Sequence, residues 1–182
     1  WWAASLTQPG YVLPSPEATF DALIDLVGTG DLWSMLGLTL SRAAIGLMAA
    51  TVIGLVWGWA SARIPQLDCF SQSLSKILLT EPPIVIVVDA MVWFGPTVQV
   101  VILLIVCVTL PLLYTSTRDG VSRVGPELLE MAQVFRFGRW GTLRHVTIPA
   151  VLPTVVSAFT VACGQSVRLA VMGELLAIAR GI

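Results

Sequence analysis

The chain is 182 residues long, with 56% hydrophobic residues, 12% charged residues and a mean hydropathy of +0.86. An ordinary soluble domain carries about 25% charged residues, so lipid rather than water is the expected solvent for most of this chain. A net charge of -1 excludes the basic field that nucleic acid would need, and Cys69, Cys107 and Cys163 have neither metal-ligand spacing nor the even count of a disulfide framework.

Residues 1–33 contain Glu17, Asp21, Asp25 and Asp31 but no Lys or Arg. Ser15-Pro16-Glu17 is a helix start, and Phe20, Leu23, Ile24 and Val27 recur at helical spacing before Gly28 and Gly30. The pattern predicts a short amphipathic helix lying on the outer membrane surface. A first span follows over 35–62; its uncharged part, Ala43–Ala62, has the length of about 20 residues that crosses a hydrocarbon core of about 30 Å. The second span, 73–94, is predicted to be broken, because it carries Lys76, Glu81, Pro82, Pro83 and Asp89 before the helix stop Gly95-Pro96. Spans over 97–115, with Pro111 near its end, and 149–176, interrupted by Gln165, Arg168 and Glu174, complete four. The chain begins at Trp1-Trp2 and stops at Gly181-Ile182, and a first and a last span are expected to lie outside it.

Lys and Arg collect in cytoplasmic loops. Arg118, Arg123, Arg136, Arg139 and Arg144 all fall within 116–148, which places that segment inside, the Gly95-Pro96 turn outside, the loop with Arg63 and Asp68 inside and residues 1–33 outside. Trp33 and Trp140 suit interfacial anchoring. Within 116–148, Gly125-Pro126-Glu127 opens a helix with Glu127 and Glu130 near its positive end. That helix is predicted to run to about Phe137 and to end in a left-handed Gly138, with Arg136 and Arg139 near its negative end. Thr147-Ile148-Pro149 then opens the next span. Apolar Leu128, Ala132, Phe135 and Trp140 have no use in a purely solvated loop, and their presence points to a surface that docks another protein.

Among the charges inside the predicted spans, Glu81, Asp89 and Arg168 are the candidates for a functional role. A charge at the centre of a membrane helix costs about 2.5–3.5 kcal/mol on insertion scales, so Asp89 and Arg168 are expected to face protein or water. They either pair with each other across the helices or line a translocation path together with Glu81. For Glu81 the plain alternative is a place in the break, where two prolines free backbone carbonyls.

Glu130-Met131-Ala132, followed at the expected distance by Val146-Thr147-Ile148-Pro149, resembles the EAA coupling loop of ABC importer permeases, whose pattern is Glu-Ala-Ala, three residues, Gly, nine residues, Ile, any residue, Leu-Pro. Met131 replaces the first Ala, Arg136 stands at the Gly position, and Gly138 can supply the corner two residues later. Other segments are similar to the nitrate/sulfonate/taurine/bicarbonate branch of that family: Val12-Leu13-Pro14-Ser15-Pro16, Thr39-Leu40-Ser41-Arg42, Pro82-Pro83 with Trp93-Phe94-Gly95, and Gly173-Glu174-Leu175 with Arg180-Gly181-Ile182. The resemblance implies an all-α integral membrane protein, a type I ABC importer-like transmembrane domain over 1–182, in the cytoplasmic (inner) membrane of a bacterium or archaeon. It implies a loop of Glu130, Met131, Ala132, Arg136, Gly138, Arg139, Trp140, Ile148 and Pro149 that couples to ATPase subunits. The implied partners are those ATPases, which bind ATP and Mg, a second permease copy or paralogue, and a periplasmic or lipoprotein solute-binding protein. The chain itself holds no Walker-type glycine loop with Lys and is expected to be neither an enzyme nor a cofactor binder. Two rival readings remain at this stage. One is a secondary transporter or channel that uses Asp89 and Glu81 as ion- or proton-carrying acids; the other is a non-transporting membrane scaffold.

Overall fold

The computed structural model describes residues 15–135 and 137–177; residues 1–14, Arg136 and 178–182 lie outside the description, and with them the Val12-Leu13-Pro14 and Arg180-Gly181-Ile182 motifs. All regular structure among the described residues is helical. A boundary between two compact units falls after Thr39. In the first unit, α1 (Pro16–Thr29) begins as expected: Ser15 is extended, its Oγ accepts from the Ala18 N–H at 3.2 Å, and Pro16 opens the helix. Gly30, at φ 77°, ends it in the left-handed region. Phe20, Ile24 and Val27 are exposed along α1.

α2 (Asp31–Ser61) is 31 residues long, or about 46 Å at 1.5 Å per residue, and accounts for the predicted 35–62 span. The next helices depart from expectation. The segment holding Arg63 and Asp68 is expected to be a loop, yet α3 starts at Pro65, after an extended Ile64, and runs to Thr80. Pro82 follows Glu81 and Pro83 follows Pro82, and a residue before proline is pushed out of the helical region. Both Glu81 and Pro82 are accordingly extended, and α4 (Pro83–Phe94) leaves at 100° to α3. The predicted broken span is therefore a sharp corner, and three helices among the described residues are long and apolar enough to cross a membrane singly, or four spans if the bent pair acts as one. Gly95, at φ 69°, ends α4 where the Gly-Pro stop was expected, its N–H bonded to the Met91 carbonyl at 2.9 Å.

α5 (Val98–Ser122) continues seven residues past the predicted end at Thr115, straight through Pro111. Pro111 is fully buried, as are Val100, Val101, Leu104, Ile105, Thr109, Leu113 and Tyr114. The hydroxyls of Thr109 and Thr117 donate to the carbonyls of Ile105 and Leu113 at 2.7 Å, so neither brings an unsatisfied group into the core. Short α6 (Pro126–Val134) and α7 (Arg139–Thr142) follow, then a π turn (Leu143–Thr147) and α8 (Ile148–Ala177).

Within the second unit α5 is the central rod, and α2 approaches it through small residues four apart: Gly46, Ala50, Gly54 and Gly58. A Cβ at Gly46 would sit 2.8 Å from Ile105 Cγ2, one at Gly54 2.9 Å from Leu113 Cβ, and one at Gly58 2.8 Å from the Tyr114 carbonyl oxygen. α8 closes on α5 in the same way, with a Cβ at Gly120 meeting Val151 at 2.9 Å. Lipid tails are as apolar as leucine, so helices in a bilayer associate through such close van der Waals contact rather than hydrophobic exclusion. Gly58→Ala is expected to destabilise the chain by roughly 1–3 kcal/mol, measured by denaturant unfolding in mixed micelles. Gly37→Ala, whose Cβ meets open space, is expected to leave stability unchanged or slightly raised.

Candidate functional site

The polar hairpin between α5 and α8 is anchored by an arginine fork. Arg118, on the last turns of α5, donates from Nε and Nη2 to both carboxylate oxygens of Asp68 at 2.9 and 2.7 Å, and from Nη1 to Asp119 at 2.8 Å. Gln72 donates to the same Asp68 carboxylate at 2.9 Å. Arg118 is thus a structural pin between α3 and α5, not the free loop cation that its sequence position suggested. The polar start of α3, read as loop, supplies its partners. A bidentate guanidinium–carboxylate contact fixes direction as well as distance, and it holds the hairpin end of both helices.

Beyond Arg123, α6 opens at Pro126 as predicted but ends at Val134, three residues short of the expected Phe137. The Phe137 N–H reaches back five residues to the Ala132 carbonyl at 3.0 Å, which closes the helix early. Gly138 is not among the left-handed glycines of the described residues. Its carbonyl instead accepts the Thr142 N–H at 2.9 Å, so it opens α7 rather than capping α6. Phe137 stacks on His145 at 5.7 Å and on Phe135 at 6.1 Å between ring centroids. This three-ring ladder ties the two limbs of the hairpin and was not foreseen from the sequence; the spacing of Phe135, Phe137 and His145 carries no periodic signal.

The residues expected to form the coupling loop separate into two sets. Ala132 is 1% exposed and packs inward. Glu130, Met131, Val134, Phe135 and Trp140 face outward, with Val134 79% and Trp140 74% exposed, and Leu128 is exposed beside them. Ile148 and Pro149 are exposed where α8 begins, and Ile148 borders an open apolar hollow of about 350 Å³ shared with Leu55, Trp59, Leu143 and Val151. α7, the π turn and α8 run on as one helical element from Trp140 to Ala177, 38 residues long. Pro149 and Pro153 have no N–H to offer the carbonyls four residues before them, and a π turn, a feature common at functional sites, takes up the irregularity just before them. The hairpin's second limb is therefore mechanically continuous with α8.

Of the intramembrane charges, Glu81 is exposed at the α3–α4 corner, and Asp89 and Arg168 are exposed on α4 and α8. Of the two alternatives left open for Asp89 and Arg168, the mutual pair is not among the ion pairs of the described residues, which join Arg118 to Asp68 and Asp119, and Arg42 to Glu174. The last joins α2 to α8 at 2.6 Å, with both side chains about four-fifths buried (20% and 21% exposed). It unites two motif segments, Thr39-Leu40-Ser41-Arg42 and Gly173-Glu174-Leu175, that the sequence presents 132 positions apart. The cysteines are free thiols.

Long apolar helices, a sharply folded pair and an outward apolar hairpin rigidly joined to the last helix define an all-α polytopic membrane protein. Residues 50–182 match the family described as binding-protein-dependent transport system inner membrane component, and the chain belongs to that family. It is accordingly an ABC transporter permease domain of the type I architecture, a subunit class without catalytic activity of its own. The chain is 26% identical over 94% of its length to a Bacillus subtilis protein named as the aliphatic sulfonates transport permease protein SsuC. It is 25% identical over its whole length to the taurine transport system permease protein TauC of Escherichia coli. Against the riboflavin transport system permease protein RibX of Chloroflexus aurantiacus it is 30% identical over 97% of its length. It spans 62%, 69% and 67% of those three relatives.

Replacing Arg118 by Gln is expected to lower stability by roughly 1–3 kcal/mol, less than a fully buried pair would lose, because the side chains of Arg118 and Asp68 keep 28% and 20% exposure. Arg118→Lys should recover only part of the loss, since a single ammonium cannot span both carboxylate oxygens; unfolding in mixed micelles reads both.

Proposed function

We propose that this chain is the translocating subunit of an ATP-driven importer for a small solute of the sulfonate or taurine kind, working in the cytoplasmic (inner) membrane. Its arginine-rich hairpin lies on the cytoplasmic side, as the positive-inside distribution of Arg118, Arg123, Arg136, Arg139 and Arg144 indicates. ATP and Mg are bound by separate ATPase subunits, a solute-binding protein delivers cargo at the outer face, and a second permease copy or a paralogue completes the path. Glu81, Asp89 and Arg168 line that path. The single observation that carries the reading is the union of an outward apolar hairpin with a 38-residue helical element. An ATPase that grips Met131, Val134, Phe135 and Trp140 moves α8 directly, with no flexible joint to absorb the displacement. Glu130 and Gly138 contribute to the gripped surface, while inward-facing Ala132 keeps α6 close to the π turn.

The family assignment favours this reading over a secondary transporter driven through Asp89 and Glu81. With ATP held constant, a proton ionophore should leave uptake unchanged; abolished uptake would point to the ion-driven mechanism. In the assembled transporter, Val134→Glu and Trp140→Glu should each reduce ATPase co-purification and solute-stimulated ATP hydrolysis by about tenfold or more, as expected when an exposed anchor of an interface is replaced by a charge. The unfolding midpoint of the chain should not move, because both side chains are exposed. Full ATPase retention in both variants would place the docking surface elsewhere.

A further inference from the structure

Two adjoining cavities lie between α3 and α5, of about 130 and 170 Å³, and Ser75 and Tyr114 line both. Together they reach the lower end of the range of small-molecule pockets, about 300–1,000 Å³. Buried polar groups are normally hydrogen-bonded, and Ser71 in the smaller cavity obeys the rule: it accepts from Trp57 Nε1 at 2.6 Å and from Ser61 Oγ at 3.3 Å. Tyr114 does not. It is 1% exposed, its hydroxyl forms no hydrogen bond, and the Asp68 carboxylate close to it is already engaged by Arg118 and Gln72. An unpaired buried hydroxyl is destabilising, and a bound polar group would satisfy it. The larger cavity adds charge of both signs. Lys76 lines it and joins none of the ion pairs among the described residues, while Asp119, on the same cavity, gives one oxygen to Arg118. Arg118, Asp68 and Asp119 together carry one excess negative charge and Lys76 one positive, so the site is neutral as a whole. A net anion or cation loses at one side of such a site what it gains at the other, whereas a molecule with both charges gains at both.

We propose that this cleft binds a small zwitterion, its acidic group held by Lys76 and the Tyr114 hydroxyl and its ammonium by Asp119. A short aliphatic body lies against Leu79 and the apolar wall of the smaller cavity, formed by Leu74, Leu78 and Val106. The inference rests on the importer reading for the kind of solute and for which end is cytoplasmic, and adds a site within a single chain. Glu81, Asp89 and Arg168 line neither cavity, so the site is distinct from the proposed path. The larger cavity adjoins the Arg118 fork at the hairpin end of α5, so it meets solute on the cytoplasmic side, after crossing.

The test measures equilibrium binding of radiolabelled taurine to the assembled transporter in lipid nanodiscs, without ATP or solute-binding protein. Ethanesulfonate, of the same length but lacking the ammonium, serves as competitor. Taurine should bind, and ethanesulfonate should compete at least tenfold more weakly. Lys76→Gln should weaken taurine binding by about tenfold and Tyr114→Phe by roughly threefold or more. Asp119→Asn should weaken taurine by about tenfold and erase its advantage over ethanesulfonate. No taurine binding, which would leave the cavities to water alone, overturns the site, as does binding that all three variants leave intact or equal affinity for ethanesulfonate. Unfolding supplies a second measurement: without taurine, Tyr114→Phe should leave the midpoint unchanged or raised, because it removes an unpaired hydroxyl. A lowered midpoint would make that hydroxyl a structural prop for Asp68 and overturn its part in the site. ATP-driven uptake into proteoliposomes containing the binding protein separates the two levels of failure. If neither taurine nor a sulfonate is taken up, the importer reading falls; if uptake proceeds while binding ignores the variants, only the α3–α5 site falls.

Discussion

Helices surrounded by hydrocarbon gain nothing by hiding apolar surface from one another, so their assembly depends on how closely their backbones can approach. In this chain that approach is made on α5. Gly46, Ala50, Gly54 and Gly58 present a flat strip of α2 to it, tight enough that a single added carbon at Gly58 would lie 2.8 Å from the Tyr114 carbonyl oxygen. Gly120 and Gly173 allow α8 the same intimacy, on Val151 and Leu104. α5 can carry an almost wholly buried face through Pro111 because it is packed from several directions. Its threonine hydroxyls turn back onto its own carbonyls.

With the rods held by contact, the ion pairs set their angular positions. Arg42–Glu174 ties α2 to α8, and the Arg118 fork ties α3 to α5. Each pair links helices distant in sequence. The fork sits at the hairpin end of the bundle, where α5 hands over to α6, so the hairpin emerges from a braced support. Its own limbs are closed by inward Ala132 and the Phe135–Phe137–His145 stack. What remains outward is an apolar surface next to a helix that continues without interruption to Ala177. A rigid handle on a rigid rod suits the role proposed for it, in which the driving chemistry takes place in another chain.

Much of this was legible in the order of residues. Twenty uncharged residues from Ala43, the Pro82-Pro83 break, the Gly95-Pro96 stop and the Ser15-Pro16 start all act through local backbone rules, and the structure places α2, the α3–α4 corner, the end of α4 and the start of α1 accordingly. The family was visible too, since the coupling-loop pattern and its companion motifs stand in linear order. Helix ends set by tertiary partners were not. α5 outruns Thr115 because Arg118 finds Asp68, and α3 begins at Pro65 because its polar residues have Arg118 to serve. Gly138 opens α7 instead of capping α6 because Phe137 folds back to Ala132.

By itself the sequence determined the solvent, the helical class, the family and the positions where the backbone must bend, because hydropathy, proline and glycine act over a few neighbouring residues. Only the tertiary structure decided which charges meet. Arg42 found Glu174 and Arg118 found Asp68, whereas Asp89 and Arg168, for which the sequence left both a mutual pair and a path-lining role open, form no ion pair with each other. The physical reason is directional. A hydropathy pattern records how far along a helix a charge lies, but the side of the helix it faces is set by packing, here by glycines that dictate which faces touch.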